Sequence, residues 1–179
     1  ANAQLTEQSR LLYQTSISDP LTGVANRARG MQLLESAAAE STRPDPCLAV
    51  LVIDIDHFKA INDHHGHPVG DQALIAVADA LQYGLPPGGS LARLGGEEFL
   101  IILQRTDPDQ ACSLARRLCE RVAALSLSTE AGPLRLTISI GVACARPGQP
   151  DTSARALYSA ADAALYAAKR EGRNRVCQA

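Results

Sequence analysis

Two adjacent glutamates, Glu97 and Glu98, interrupt an apolar stretch in the segment RLGGEEFLIIL at residues 93–103. The flanking apolar runs predict the two strands of a hairpin, and Gly95 and Gly96 can supply the positive φ angles of a tight turn. A turn needs no carboxylates, so the pair has two interpretations. Acidic residues at an exposed tip often serve only solubility, but they can also hold a ligand. A second acidic group elsewhere in the chain would favour the ligand.

Such a group occurs where another predicted strand ends. The run CLAVLVIDID at residues 47–56 is rich in Val, Leu and Ile and predicts a buried strand that ends at Asp54 and Asp56. If the hairpin tip lies beside this strand end, we expect Asp54 and Glu97 to face each other. Carboxylates that close repel unless a cation separates them, and Mg²⁺ prefers such ligands together with substrate phosphates. The alternative is a helix N-cap, which suits Asp56 better than Asp54 because Asp56 directly precedes the next helix.

Basic residues near these carboxylates suit a ligand that carries phosphates. The helix predicted from HFKAINDHH offers free backbone N–H groups in its first turn, and Lys59 lies one turn in. The hairpin glycines lack side chains, so a phosphate can approach their backbone closely. Lys169 and Arg173, four residues apart near the end of the last long helix, could add positive charge. Both also suit the simpler function of stabilising a helix C-terminus, which we favour for them on their own.

Asn62 and Asp71 lie on either side of a turn predicted at residues 66–68. An aspartate acceptor beside an amide side chain suits guanine, whose N1–H and N2–H₂ groups donate and whose O6 and N7 accept. Adenine lacks that donor edge, so a site built in this way would reject it. Both residues suit helix caps equally well, and on their own we favour caps. His67 is interpreted as stabilising the turn or lining the pocket.

The composition indicates one aliphatic domain with a short appendage. The chain has 179 residues, of which 46% are apolar and only 3% aromatic, so the core must be built from aliphatic side chains. A formal net charge of −2 argues against a general nucleic-acid-binding surface or a polybasic membrane surface. No apolar run approaches the length of a membrane span. The chain begins with Ala, so we expect it to be part of a longer protein, which could itself be membrane-anchored.

The spacing of cysteines and histidines argues against a zinc site or a disulfide framework. The five cysteines are scattered and odd in number, and none forms a C-x-x-C pair. The four histidines fall within residues 57–67 but include no i, i+4 pair with a third ligand. We therefore expect a reduced, cytoplasmic domain.

The elements that must position these residues are single strands alternating with helices around the hairpin. Residues 1–18 predict a helix in which Leu5 and Leu12 lie seven residues apart, as at the end of a coiled-coil connector, and residues 19–179 form the predicted domain. The other predicted elements are strands at 47–56, 134–145 and 174–178, and helices within 21–40, 57–65, 70–84, 107–125 and 153–172. We expect Asp107 or Asp109 to cap the fourth of these helices. This order predicts an α/β (α+β) sandwich with a central, mostly antiparallel sheet flanked by helices.

Taken together, these segments resemble the GGDEF family of diguanylate cyclases, here with the GGEEF variant of the signature. The matching segments are DPLTGVANR at 19–27, DIDHFKAINDHHGHPVGD at 54–71, RLGGEEF at 93–99, SIGVA at 139–143 and DAALYAAKREGRNRV at 162–176. The resemblance implies a ferredoxin-like palm similar to that of adenylyl cyclases and polymerases. It also implies a nucleotidyltransferase that joins two GTP molecules into cyclic di-GMP and releases two pyrophosphates.

Roles for individual residues follow from the same resemblance. Asp54, Glu97 and the carbonyl of Ile55 would hold Mg²⁺, with Mn²⁺ possible, and Glu97 and Lys59 would act in catalysis. Asn62 and Asp71 would read guanine, and the basic residues would hold the phosphates. The full set that the resemblance places on the substrate is Phe58, Lys59, Asn62, His67, Asp71, Gly95, Gly96, Glu98, Lys169 and Arg173.

The expected partners also follow from the resemblance. One domain has one guanine pocket and the product has two guanosines, so we expect a homodimer with facing active sites, controlled by an upstream sensory domain. Many family members carry R-x-x-D before the glycine pair as a product-inhibition site, but those positions are Pro86 and Gly89 here. We therefore expect no feedback through that site. The alternative to an active cyclase is a catalytically silent module that binds GTP or cyclic di-GMP.

Overall fold

A five-stranded sheet forms the centre of the computed structural model, which describes residues 2–40, 47–145 and 152–179. The strands are β1 (Leu48–Ile55), β2 (Ser90–Gly95), β3 (Glu98–Gln104), β4 (Leu127–Thr129), β5 (Gly132–Leu134), β6 (Ile138–Ala145) and β7 (Val176–Gln178). The helices are α1 (Asn2–Ile17), α2 (Arg27–Glu40), α3 (Phe58–His65), α4 (His67–Gly84), α5 (Pro108–Ala123) and α6 (Ala154–Arg170).

The sheet has the order β2-β3-β1-β6-β7, and only the β6–β7 pair is parallel. This confirms the predicted α+β class and the mostly antiparallel sheet. β1 is central, and seven of its eight residues are buried. Its near-continuous apolar sequence follows from burial on both faces, because helices cover each side of the sheet.

The core has two layers, one on each face of the sheet. Residues of β1 and β3 alternate between them, because successive side chains on a strand point to opposite faces. One layer holds apolar residues of α3, α4 and α5, and the other holds those of α2 and α6. Asp54 and Glu98 continue the alternation of the second layer, so their side chains belong to the face that α6 covers.

Close packing brings α6 onto the sheet at Gly141 of β6. A Cβ atom at this position would overlap the backbone of Ala161 and Leu165 in α6. Only glycine leaves room for that approach, which accounts for the glycine in SIGVA. The close contact fixes the height of α6 above the sheet, and therefore the reach of its polar side chains.

Several local predictions are confirmed. Asp107 caps α5, because its side chain accepts from the Gln110 N–H while the Gln110 side chain accepts from the Asp107 N–H. Residues 1–18 are helical from Asn2 to Ile17, with Leu5 and Leu12 exposed. Their function as a connector, and the division from a domain at 19–179, stay predictions. No described helix is both long and apolar enough to cross a membrane.

Other boundaries differ from the predictions. The short hairpin of β4 and β5 was not predicted. One strand was predicted at 134–145, but β6 begins only at Ile138. α4 begins at His67, so only Gly66 separates it from α3. Pro68 belongs to the first turn of α4, where proline is well tolerated because that turn needs no N–H donor. The segment STRPDP at residues 41–46, whose two prolines predict the end of the helix before it, lies outside the described residues.

Candidate active site

The two acidic segments meet at the end of β1, as the sequence predicts, but with a different pairing. The β1–β3 register places Asp54 opposite Glu98, not opposite Glu97. Glu97 lies in the turn, where its carbonyl accepts a hydrogen bond from the Ile55 N–H at 3.3 Å. This pairing follows from the unbroken β1–β3 ladder, which runs from Leu48 opposite Gln104 to Asp54 opposite Glu98 and leaves Glu97 beyond its end. The expectation that Asp54 and Glu97 face each other is therefore wrong, although both lie at the same sheet edge.

Asp54 forms an ion pair with Lys169 of α6. The ammonium Nζ donates to Asp54 Oδ2 at 2.7 Å, and the aspartate side chain is only 13% exposed. The pKa of Asp54 is raised to about 6, and burial is the largest cause. The hydrogen bond and charge of Lys169 lower the pKa, and the charges of Glu97 and Glu98 raise it. Burial and repulsion thus outweigh the ion pair. A carboxylate in this state would gain from a cation with more charge than one ammonium.

Glu98 accepts a hydrogen bond from the hydroxyl of Tyr158, also on α6, at 3.1 Å. Burial raises the pKa of Tyr158 to about 12, and the charge and hydrogen bond of Glu98 act in the same direction. The phenol therefore stays protonated and remains a donor. Tyr158 is not among the site residues predicted from the sequence. Its only signal is helical spacing, because Tyr158 and Lys169 lie about three turns apart on one face of α6.

Asp56 is buried and does not cap α3. Its carboxylate accepts from the hydroxyls of Thr137 and Ser139 and from the backbone N–H of Asn174, at distances of 2.7 to 3.0 Å. The residue before α3 is instead His57, in the left-handed region with φ 55° and without a side-chain cap bond in the described part of the chain. Asp56 therefore ties the start of β6 and the segment after α6 to the end of β1. The predicted cap is wrong.

Arg93 braces the hairpin turn. Its Nε and Nη2 atoms donate to the Gly96 carbonyl at 2.9 and 2.8 Å, and Nη1 donates to Asp19 at 3.2 Å. Burial favours a higher pKa for Asp19, but hydrogen bonds from Thr22 and Arg93 together lower it. Asp19 thus stays ionised and anchors the guanidinium. Arg93 thus fixes the backbone of the turn through the Gly96 carbonyl. A Cβ atom at Gly95 or Gly96 would meet no described atom within 4 Å, so the space beside both glycines is open.

Asn62 lies inside α3 and is not a cap. Its Oδ1 atom is buried and has no hydrogen-bond partner among the described residues. The ring of Phe58 is buried one helical turn before it. Asp71 is exposed within α4, where the described residues make no side-chain cap bond. The preference for caps at both positions is therefore wrong, and the orphaned amide oxygen of Asn62 points to a ligand.

The remaining predicted residues are spread around this centre. Lys59 is 92% exposed on α3, with its Nζ 3.8 Å from Asp63. His67 is exposed at the start of α4. Arg173 does not share a helix face with Lys169, because α6 ends at Arg170 and Arg173 has a φ of 64°. The structure therefore places Lys169 in direct contact with Asp54, at the acidic edge formed by Asp54, Glu97 and Glu98, and leaves Arg173 in an exposed turn beyond the helix.

The acidic edge by itself is not a complete metal centre. No group of three or more His, Cys, Asp or Glu side chains suited to hold a metal ion occurs in the described ranges. Asp54 and Glu97 nevertheless fit a hard cation, because carboxylate oxygens are its preferred ligands and Asp54 carries uncompensated repulsion. The missing ligands would have to come from backbone oxygens, water or substrate phosphates.

Comparison with known proteins matches this arrangement to one family. The chain matches the family described as diguanylate cyclase, GGDEF domain, over residues 16–175. Diguanylate cyclase DgcP of Pseudomonas aeruginosa is 39% identical over 163 residues, which are 91% of this chain and 24% of that protein. The chain thus spans about a quarter of the length of this curated relative.

Solved structures show the same fold. The coiled coil and GGDEF domain of DgcB from Caulobacter crescentus, in complex with c-di-GMP, superposes with a TM-score of 0.91 at 33% identity. That match covers 99% of this chain and 93% of the other. The active GGEEF domain of a diguanylate cyclase from Vibrio cholerae has a TM-score of 0.78 at 34% identity, covering 86% of this chain and 96% of that one.

Proposed function

The chain belongs to the GGDEF family of diguanylate cyclases, and from that premise we propose that it condenses two GTP molecules into cyclic di-GMP and two pyrophosphates. The observation that carries this proposal is the acidic edge, defined as Asp54, Glu97 and Glu98 at the junction of β1 and the hairpin. The three carboxylates suit a bound cation, and the space over the backbone of Gly95 and Gly96 suits the phosphates of a substrate. The arrangement therefore suits a polyanionic substrate that binds together with a cation.

The cation would be Mg²⁺, with Mn²⁺ as an alternative, held by Asp54, Glu97 and the carbonyl of Ile55. When bound, it would neutralise charge on the α-phosphate and orient the phosphate for in-line attack. Support for this set comes from the raised pKa of Asp54, whose causes include burial and the charge of both glutamates. Glu98 would support the nucleotide and not the metal, because the hydroxyl of Tyr158 donates to its carboxylate and holds it toward α6.

The residues of the chain would position the rest of the nucleotide. Asn62 and Asp71, with His67 nearby, would bind the guanine edge, and the orphaned Oδ1 of Asn62 supports this assignment. The nucleotide phosphates would lie against the basic side chains and over the open backbone of the hairpin turn. These phosphate-binding side chains are Lys59, Lys169 and Arg173.

The chemical step is attack by a 3′-hydroxyl oxygen on the α-phosphorus of a second GTP. A new P–O bond forms, the bond to pyrophosphate breaks, and Glu97 takes the proton of the attacking hydroxyl. The 3′-hydroxyl of the second nucleotide then attacks the α-phosphorus of the first in the same way. This second P–O bond closes the ring and releases the second pyrophosphate. Positioning and electrostatic stabilisation would supply most of the acceleration, as in phosphoryl transfers generally.

This scheme requires two chains. Each chain contributes one Asn62 and one acidic edge, so one chain offers a 3′-hydroxyl to the α-phosphate bound by another. The active species would be a homodimer, whose pairing an upstream sensory domain would control through α1.

The proposal is tested by GTP turnover over a wide range of protein concentrations, with products separated by chromatography. We expect cyclic di-GMP to form with more than first-order dependence on protein, and to vanish in Glu97→Ala. GTP binding without product, even after the chains are dimerised artificially, would instead identify a silent regulatory module. Binding of neither nucleotide would exclude both functions.

The loop before β2 bears on regulation. The groove there has a volume of about 490 Å³, and its lining includes Pro86, Gly89, Arg105 and Arg117. Pro86 and Gly89 can supply neither the arginine nor the aspartate of the family's inhibitory site, so we propose that this site does not mediate feedback. Tight, non-competitive binding of cyclic di-GMP that is lost when the loop is mutated would contradict this.

A further inference from the structure

Gly70 of α4 packs directly against the side chain of Asn62 in α3. A Cβ atom built at Gly70 would overlap Asn62 Oδ1, lie 3.0 Å from Asn62 Cγ, and lie 3.4 Å from Cζ of the Phe58 ring. Gly70 is itself buried, so a methyl group at this position could not turn away into solvent, and the Asn62 amide would have to move instead. The position of the Asn62 amide therefore depends on a missing side chain in the neighbouring helix.

Helix propensity does not explain a glycine at this position. Gly70 lies in the second turn of α4, and glycine in a helix interior is less favourable than alanine because it loses more backbone freedom on folding. Its φ is not among the positive values of the chain, so no turn or left-handed conformation requires it. The close approach of Asn62 is the physical requirement that remains.

The neighbouring atoms also limit where the amide can go. Oδ1 is buried without a hydrogen-bond partner in the described residues, which is costly for a polar atom. A side chain with other options would turn this oxygen toward a donor. The buried Phe58 ring also lies 3.4 Å from the position of a Cβ atom at Gly70. The Asn62 amide therefore has a buried oxygen that can accept a hydrogen bond from a ligand.

We propose that Gly70 determines base specificity, because its missing Cβ sets the Asn62 amide in the orientation that binds guanine. Gly70 is a positioning residue that acts through Asn62 and does not itself touch the nucleotide. The inference rests on the proposed function, in which Asn62 reads the base.

The test is a cycle of four proteins: the unmodified chain, Gly70→Ala, Asn62→Ala and the double variant. Binding is measured with 3′-deoxy-GTP and 3′-deoxy-ATP, which lack the attacking hydroxyl and so do not turn over. The readout is the ratio of the two dissociation constants. Gln72→Ala is the matched control, because Gln72 is exposed on the same turn of α4.

We expect Gly70→Ala to reduce the preference for guanine by roughly tenfold or more, as Asn62→Ala does, because an unpaired or misplaced polar group loses discrimination. Adding Gly70→Ala to Asn62→Ala should cause no further loss, and Gln72→Ala should leave the ratio unchanged. Full discrimination in Gly70→Ala, or additive losses in the double variant, would overturn the proposal.

Thermal unfolding provides a readout that is independent of nucleotide. Gly70→Ala alone should lower the melting temperature, because the new methyl group meets Asn62. In the Asn62→Ala background the same change should raise it, since the overlap is gone and alanine favours the helix. Equal shifts in both backgrounds would overturn the steric coupling.

The cycle also separates this inference from the proposed function. Normal cyclic di-GMP synthesis together with unchanged base preference in Asn62→Ala would reject Gly70 and Asn62 as the specificity pair and leave the cyclase assignment intact. Failure of the unmodified chain to bind 3′-deoxy-GTP would reject both.

Discussion

At the acidic edge, α6 supplies a partner to each carboxylate of the Asp54–Glu98 pair: Lys169 donates to Asp54, and Tyr158 donates to Glu98. At the proposed base-binding end, in α3, the Oδ1 atom of Asn62 is hidden from solvent but has no such partner among the described residues. The two ends of one candidate site are thus prepared in opposite ways. At the acidic edge both of these carboxylates already have a hydrogen-bond partner, whereas the amide oxygen of Asn62 has none among the described residues.

Charge explains the difference. An ionised carboxylate loses far more hydration energy on burial than a neutral amide, so it needs a counter-charge or a hydrogen-bond donor even when no ligand is bound. The amide can remain unsatisfied at a moderate cost. Binding at the acidic edge must therefore exchange an existing contact for a stronger one, whereas binding at Asn62 only adds a contact. Four measurements test this contrast.

The largest effect is expected from Asp54→Asn, which removes one of the three carboxylates of the acidic edge and keeps the size of the side chain. We expect turnover to fall by about a hundredfold or more, because stabilisation of the transferring phosphate is lost. The preference for guanine over adenine should persist, since the base-binding end is separate. Asp79→Asn, exposed on α4, is the control. Loss of base discrimination together with turnover would show that the two ends do not act separately.

Asp71→Ser tests the base-binding end in the converse way. We expect the ratio of GTP to ATP binding to fall by about tenfold, because serine cannot accept from both N1–H and N2–H₂. Competition between the two nucleotides measures the ratio, with Asp79→Ser as the control. An unchanged ratio would remove Asp71 from the guanine site.

Lys169→Met tests whether the ammonium occupies the place of a cation. Without nucleotide, we expect Mn²⁺ to bind severalfold more tightly, because the ion no longer competes with a bound ammonium at Asp54. Electron paramagnetic resonance of Mn²⁺ measures this without turnover. Lys59→Met, on a side chain that is 92% exposed, should leave Mn²⁺ affinity unchanged. Equal or weaker affinity in Lys169→Met would contradict the exchange at this edge.

The smallest effect is a dependence of stability on pH. The folded pKa of Asp54 is raised from 3.8 to about 6, so between these values the folded chain binds the proton more tightly than the unfolded chain. The contribution of Asp54 to the free energy of unfolding should therefore fall as pH rises from about 4 to about 6, opposite to the usual aspartate. Urea unfolding of the chain and of Asp54→Asn across this range isolates the contribution. A difference that is constant with pH would contradict the raised pKa.

The sequence predicted those elements whose signal is local. Long apolar runs predict β1, β3 and β6, and Asp107 predicts the start of α5 because a cap lies next to the N–H groups that it satisfies. The hairpin of β4 and β5 was missed because its strands are three residues long and only half-buried, which leaves too little periodicity to detect.

Contacts between distant segments were predicted less well. A helix cap was the alternative interpretation that suited Asp56, but its carboxylate accepts from the hydroxyls of Thr137 and Ser139 and from the backbone N–H of Asn174. The contact of Glu98 with Tyr158, which lies 60 residues away in the chain, was not predicted. A side chain near several possible partners takes the one that packing brings closest, and sequence spacing does not reveal which one that is.

By itself, the sequence determined the residue types of the site and their place at the end of β1, in the hairpin turn and in α3, because strand ends and turns follow from local hydrophobic patterns. Only the tertiary structure decided the pairing within the site. The register of β3 on β1 sets Glu98 opposite Asp54, and the close approach of α6 at Gly141 brings Lys169 onto the same carboxylate. Register and interhelical distance depend on the packing of the whole core, and no short segment of the chain carries that information.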